Sequence, residues 1–63
     1  MKEGVAKAIG QMPEHLGRVL KLYFFDDMSY EEIAKAENIS MPALKMRIFR
    51  AKRVFKKIVG EGI

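Results

Sequence analysis

Residues 40–59 read Ser-Met-Pro-Ala-Leu-Lys-Met-Arg-Ile-Phe-Arg-Ala-Lys-Arg-Val-Phe-Lys-Lys-Ile-Val, and they hold seven of the chain's twelve Lys and Arg residues with no Asp or Glu among them. Advancing each side chain by about 100° gathers Leu44, Ile48, Ala51, Phe55, Ile58 and Val59 on one stripe. Lys45, Arg50, Arg53, Lys56 and Lys57 gather opposite. The pattern predicts one long helix that starts at Ser40, packs on one face and meets something anionic with the other. Met46 and Phe49 fall on the basic side, away from the stripe. A solvated face has no use for them, whereas a helix in a DNA major groove needs apolar groups against thymine methyls beside its Arg and Lys.

Upstream of that helix the spacing is informative. Ser29-Tyr30-Glu31-Glu32 is a capping box preceding Ile33: the Ser29 hydroxyl can accept from the Glu32 N–H while the Glu32 carboxylate reaches back. A short helix is predicted from there to about Glu37, burying Ile33 with Ala34 or Ala36 beneath it. Asn38 then suits a left-handed turn, Ile39 plugs the corner, Ser40 caps the next helix, and Pro42 is tolerated in its first turn. A small residue, a turn residue four later, an apolar plug and the apolar anchor Leu44 give the spacing of a helix-turn-helix, in which the first helix lies over the DNA backbone and the second enters the groove.

Toward the N-terminus, Val5, Ala8, Ile9 and Met12 recur at helical spacing over Lys2 to Gly10. Pro13 suits the first turn of a second helix, with Glu14 near its positive end. Leu16, Val19, Leu20 and Tyr23 form the inward stripe of that element, and Phe24 widens it. Phe25, Asp26, Asp27 and Met28 break the pattern as a turn. Gly60-Glu61-Gly62-Ile63 reads as a frayed end. With no β-type alternation and no repeat, the expectation is an all-α, small four-helix domain spanning 1–63, with the helix-turn-helix at 29–59 and a long C-terminal recognition helix.

Composition bounds the rest. Sixty-three residues make one small domain that buries only about 60% of its unfolded surface, so there is no room for two large pockets. No cysteine means no disulfide framework and no thiol chemistry. His15, the one histidine, cannot build a metal site alone and is given no role. Asp26-Asp27 and Glu31-Glu32 are explained by turns and caps, and no set of nucleophile, base and orienter exists. The expectation is no enzyme, no catalytic residue, no metal and no cofactor. No apolar run approaches the ~20 residues of a membrane span, and the first ten residues lack a signal-peptide segment. A cytoplasmic protein without membrane contact is expected. The net charge of +4 is unevenly spread, since six of the eight acidic residues lie between Glu14 and Glu37, and this points to nucleic acid or another anionic partner.

Several segments together resemble a known family: Met12-Pro13-Glu14 with Arg18-Val19-Leu20, then Met28-Ser29-Tyr30-Glu31-Glu32-Ile33-Ala34, then Ile39-Ser40, then Leu44-Lys45-Met46-Arg47-Ile48-Phe49-Arg50-Ala51-Lys52. They are similar to region 4 of bacterial sigma-70 family factors, especially the extracytoplasmic-function type, over Ala8 to Ile58. The resemblance implies transcription initiation: a domain that docks on the β flap of RNA polymerase and reads the −35 element of double-stranded promoter DNA. By position, Lys45, Met46, Phe49 and Arg50 are expected at bases or their flanking phosphates. Arg47 is expected to touch phosphate or pair locally. Ser29 and Tyr30 are phosphate candidates at a helix N-terminus, and Arg53, too far along for base edges, is assigned to phosphate.

Further partners implied are an anti-sigma factor, with the domain itself a monomer. The chain departs from the family at Asn38, where Gly is usual, and at Glu37, where an apolar residue is usual, which suggests a thinner core there. Pro42-Ala43 replaces a usual Gly-Thr, and Met46 a usual Ser, implying a different −35 motif or weaker binding. Nothing resembling region 2 is present, so an excised domain or a stand-alone relative is expected. Two other readings stay open: a module that binds an anti-sigma protein or the polymerase flap rather than DNA, and a small helix-turn-helix regulator outside the sigma factors.

Overall fold

The computed structural model describes residues 2–60 and has four helices: α1 (Lys2–Gly10), α2 (Glu14–Phe24), α3 (Tyr30–Glu37) and α4 (Met41–Gly60). Of the frayed end expected at 60–63, Gly60 belongs to α4 and residues 61–63 lie outside the described part. α4 packs against each of the other three, most extensively against α2, while α1 and α3 do not meet. Twenty residues at 1.5 Å each make α4 about 30 Å long, and it sets the 34 Å long dimension of the molecule.

The core lies where these faces converge. Val19 and Leu20 of α2, Ile33 of α3 and Leu44 of α4 are its largest fully buried side chains, with Ala51 at no exposure and Met12, Leu16, Ala34 and Ile48 around them. Burying each large aliphatic contributes about 1.5–3 kcal/mol. Between Ala34 and Ala36, it is Ala34 that lies beneath the crossing; Ala36 is exposed.

Two sequence expectations about the core are corrected. Tyr23 and Phe24 have the angular position of the α2 stripe, yet they are 40% and 45% exposed. No helix covers the last turn of α2 among the described residues; the Tyr30 ring lies 5.6 Å from that of Tyr23, and Met28 sits beside Tyr23 and Phe24. On α4 the buried arc is shifted toward α2, its main partner. It therefore takes in Val54 along with Phe55 and Ile58, and leaves Val59 at 38% exposure.

The connections show how little sequence is needed to fix each corner. Between α2 and α3, the Met28 N–H donates to the Leu22 carbonyl at 3.1 Å, and Asp27 takes φ 52°, a left-handed conformation that Asp tolerates better than most residues. Pro13 stands just outside α2 as its N-cap rather than within the first turn.

α1 comes close to α2 at Gly17, a position that no sequence pattern singled out. A Cβ there would stand 2.9 Å from the Ile9 carbonyl oxygen and 3.2 Å from Ile9 Cγ2. Alanine at a helical glycine normally gains up to about 1 kcal/mol. Here the obstructing atom is backbone, so α1 must move, and overpacking of this kind costs about 1–3 kcal/mol. Gly17→Ala is therefore expected to lower the midpoint of thermal unfolding followed by circular dichroism. A raised midpoint would contradict the close approach of α1.

Candidate nucleic-acid interface

The interface is built from the turn outward. α3 begins with the capping box read from the sequence: the Glu32 N–H donates to Ser29 Oγ at 3.1 Å and the Ser29 N–H donates to Glu32 Oε1 at 2.8 Å. That backbone hydrogen bond, followed by the one from the serine side chain, holds the Glu32 carboxyl below its ordinary value of 4.5. α3 ends with Asn38 at φ 57°, ψ 47°. The Asn38 N–H donates to the Lys35 carbonyl at 3.1 Å and the Ile39 N–H to the Ala34 carbonyl at 3.0 Å, the two reversed bonds of a Schellman motif. Ile39, half-buried, packs on the core beside them. The Ser40 hydroxyl then accepts from the Ala43 N–H at 3.3 Å and starts α4.

Because Leu44, Ile48 and Ala51 are held in the core, the opposite side of α4 is left to solvent. Lys45, Met46, Phe49, Arg50, Arg53, Lys56 and Lys57 are all exposed on it, Met46 at 52% and Phe49 at 56%. The four residues expected at bases thus share one open face. The Arg53 guanidinium lies over the Phe49 ring at 5.9 Å, a cation–π contact worth about 0.5–1 kcal/mol at an exposed site. It ties Arg53 to the group expected at bases. A shallow depression beside α2, floored by Leu16 and Val54 and rimmed by Arg50, Arg53, Lys56 and Lys57, continues the basic surface toward the second half of the helix.

Arg47 stands apart from this face. It is half-buried, and its Nη1 donates to Glu37 Oε1 at 3.3 Å, so of the two expectations for it the local pairing is what the structure contains. Glu37 is also gripped by Arg18 of α2: Nε donates to both carboxylate oxygens at 2.9 and 3.0 Å, and Nη2 to Oε1 at 2.8 Å. The hydrogen bonds that Arg18 donates to Glu37, then the charge of that carboxylate, raise the Arg18 guanidinium further above its ordinary value. The Glu37 side chain is only 6% exposed. The apolar cluster has no member at this position, in line with the thinner core expected there, and a carboxylate joins α2, α3 and α4 instead.

At the N-terminus of α3, the Ser29 N–H is occupied by Glu32, leaving its hydroxyl proton and the N–H groups of Tyr30 and Glu31 as the donors that an anion would meet. Tyr30 is half-buried and in contact with Tyr23. His15 is exposed on α2, and among the described residues no three His, Cys, Asp or Glu side chains converge as metal ligands. Among the described residues no helix is long and apolar enough to cross a membrane.

Sequence comparison agrees with this geometry. The family model described as Sigma-70, region 4 matches residues 2–54, which takes in α1, α2, α3 and the first two-thirds of α4. No match emerges among curated proteins or among solved structures.

Removing the Ser29 hydroxyl, as in Ser29→Ala, is expected to cost about 1 kcal/mol of stability in denaturant unfolding. The paired acid has a distinct pH signature. Its folded value lies below its unfolded one, so the capping carboxylate stabilises the fold fully above pH 4.5 and the gain fades as pH falls through the folded value. The stability difference between the wild type and Glu32→Gln should therefore shrink on acidification below pH 4.5. A difference that stayed constant from pH 7 to pH 3 would contradict the capping assignment.

Proposed function

The chain belongs to the region 4 family of sigma-70 factors, and from that membership we propose that α4 reads the −35 element of promoter DNA. Membership carries a role in promoter DNA binding and in meeting RNA polymerase, and the family is not one of enzymes. The finer reading rests on one observation: Met46 and Phe49 are more than half exposed amid Lys45, Arg50 and Arg53, on the side of α4 turned away from the core. Exposed single hydrophobes are common on protein surfaces. Two of them, three residues apart within a field of cations on a helix-turn-helix, supply the apolar and charged groups that base edges and phosphates require.

In this reading Arg50 and Lys45 donate to base edges or the phosphates beside them, while Met46 and Phe49 meet thymine methyls. Arg53, steadied on Phe49, reaches phosphate, and the Ser29 hydroxyl with the Tyr30 N–H meets the backbone under α3. With about five phosphates neutralised, log K against log salt should have a slope near −4 to −5.

A second surface is favoured for a protein partner. Tyr23 and Phe24, stacked edge to face at 5.3 Å, form with Asp27 and Met28 an exposed recess at the end of α2, separate from the basic face. We assign docking on the polymerase flap to this patch. An anti-sigma factor covering both surfaces would silence both activities at once.

Substitutions at the two surfaces separate the two roles. Arg50→Ala is expected to lose about 1–3 kcal/mol of duplex affinity and to relax base choice at one position, with polymerase capture intact. Phe24→Ala is expected to do the reverse, and Lys57→Ala to leave base preference unchanged. Fluorescence anisotropy with labelled duplexes and pull-down of polymerase core measure the two arms. An equal, sequence-blind loss from Arg50→Ala and Lys57→Ala would overturn the assignment of α4 as a reading helix.

A further inference from the structure

We propose that Arg18 and Arg47, seated together on the Glu37 carboxylate, form a binding site for a single phosphate group, filled by one backbone phosphodiester of the bound duplex. The site lies beyond the four base-facing residues and recruits α2, an element with no expected part in DNA contact. It rests on the duplex-binding role assigned to α4.

Charge makes the first part of the case. One arginine is enough to neutralise Glu37, and Arg18 does so with three contacts of 2.8–3.0 Å. Arg47 adds a second positive charge on the same oxygen, Oε1, at 3.3 Å. Glu37 with its two arginines is therefore left at +1, and the Glu14 carboxylate, one turn before Arg18 on α2, is close enough to act on the Arg18 guanidinium from the side away from Glu37.

Layering makes the second part. The carboxylate lies beneath, its side chain 6% exposed, whereas the side chains of Arg18 and Arg47 are 49% and 27% exposed. Over Glu37 an approaching anion meets guanidinium and not carboxylate. Each guanidinium has five N–H donors. Arg18 spends Nε and Nη2 on Glu37 and Arg47 spends Nη1, which leaves Arg18 Nη1 and the Nε and Nη2 of Arg47 without a protein acceptor among the described residues. The planar fork of Arg18 is already fixed by its two-oxygen grip, so little side-chain freedom remains to be lost when a phosphate oxygen arrives.

Position makes the third part. Arg47 precedes Arg50 by three residues, so the pair borders the base-facing side of α4 along the edge that faces α2. A duplex lying on that side has one strand's backbone running along that edge. The exposed donors of Arg18 then extend the footprint across the α2–α4 seam.

The test is the salt dependence of duplex binding by the 63-residue chain. Arg18→Met leaves Glu37 paired with Arg47 and the cluster neutral. The slope of log K against log salt is expected to fall in magnitude by about 0.9, with the preferred sequence unchanged. Arg18→Gln keeps a hydrogen bond to Glu37 and loses only the charge, so it carries the same expectation if the Met variant melts near the working temperature. Adding Glu37→Leu to Arg18→Met returns the cluster to +1 through Arg47 and is expected to restore the slope. Duplex binding whose slope in both Arg18 variants equals that of the wild type would overturn this inference alone. A wild-type chain that binds no duplex at low salt would overturn it together with the DNA-reading assignment.

Discussion

The left-handed turn at Asn38 decides what α4 can touch. With φ at 57°, it lets the Asn38 and Ile39 N–H groups close on the Lys35 and Ala34 carbonyls, so α3 stops within one residue and α4 leaves at a fixed angle. Ile33 and Ala34 join Leu44 and Ile48 in one cluster, and Leu44, Ile48 and Ala51 of α4 are committed to the core. Which residues face outward follows from that commitment. Met46, Phe49, Arg50 and Arg53 are exposed because Leu44 and Ala51 are not. Any change of the turn that rotated α4 by one residue, about 100°, would bring Lys45 to the core and Leu44 to solvent. The helix stripe and the corner therefore enforce each other.

Glu37 adds orientation more than stability. A carboxylate taken largely out of water is costly even when paired, and replacing such groups by apolar ones is often neutral or better. Its partner Arg18 is half exposed, a setting in which ion pairs contribute little. What the arrangement does provide is direction: three short contacts from α2 and one from α4 converge on the last residue of α3. The helix-turn-helix is thus tied to the helix behind it at the point where the two crossing helices meet. The stability of the fold rests instead on Val19, Leu20, Ile33 and Leu44.

Much of this was legible in the residues because it is local. The capping box needs only Ser29 and Glu32, the turn only Asn38 and Ile39, and the exposed basic face only the 100° advance along residues 40–59. The parts that were not legible depend on what packs against what. Helical angle placed Tyr23 and Phe24 inward, and the absence of a covering element put them in solvent as an aromatic patch. The shift of the buried arc toward α2 exchanged Val59 for Val54. Glu37 could not be paired with Arg18 from the sequence, since nineteen positions separate them and no pattern links them. The tight approach at Gly17 is likewise a property of two helices, although a glycine in mid-helix is a signal that could have drawn attention to it. The cation–π contact of Arg53 with Phe49 was within reach, because residues four apart on a helix are neighbours.

Base reading by the exposed face of α4 is the role proposed for this domain. The most direct measurement is selection of duplexes from a random pool on the tethered 63-residue chain at low salt, where weak specific binding survives, followed by sequencing of what is retained. A base-reading α4 enriches a short motif that disappears when the selection is repeated with Phe49→Ala. Retained duplexes that stay random in sequence, while the chain still captures polymerase core, would contradict it and mark Met46 and Phe49 as part of a protein interface.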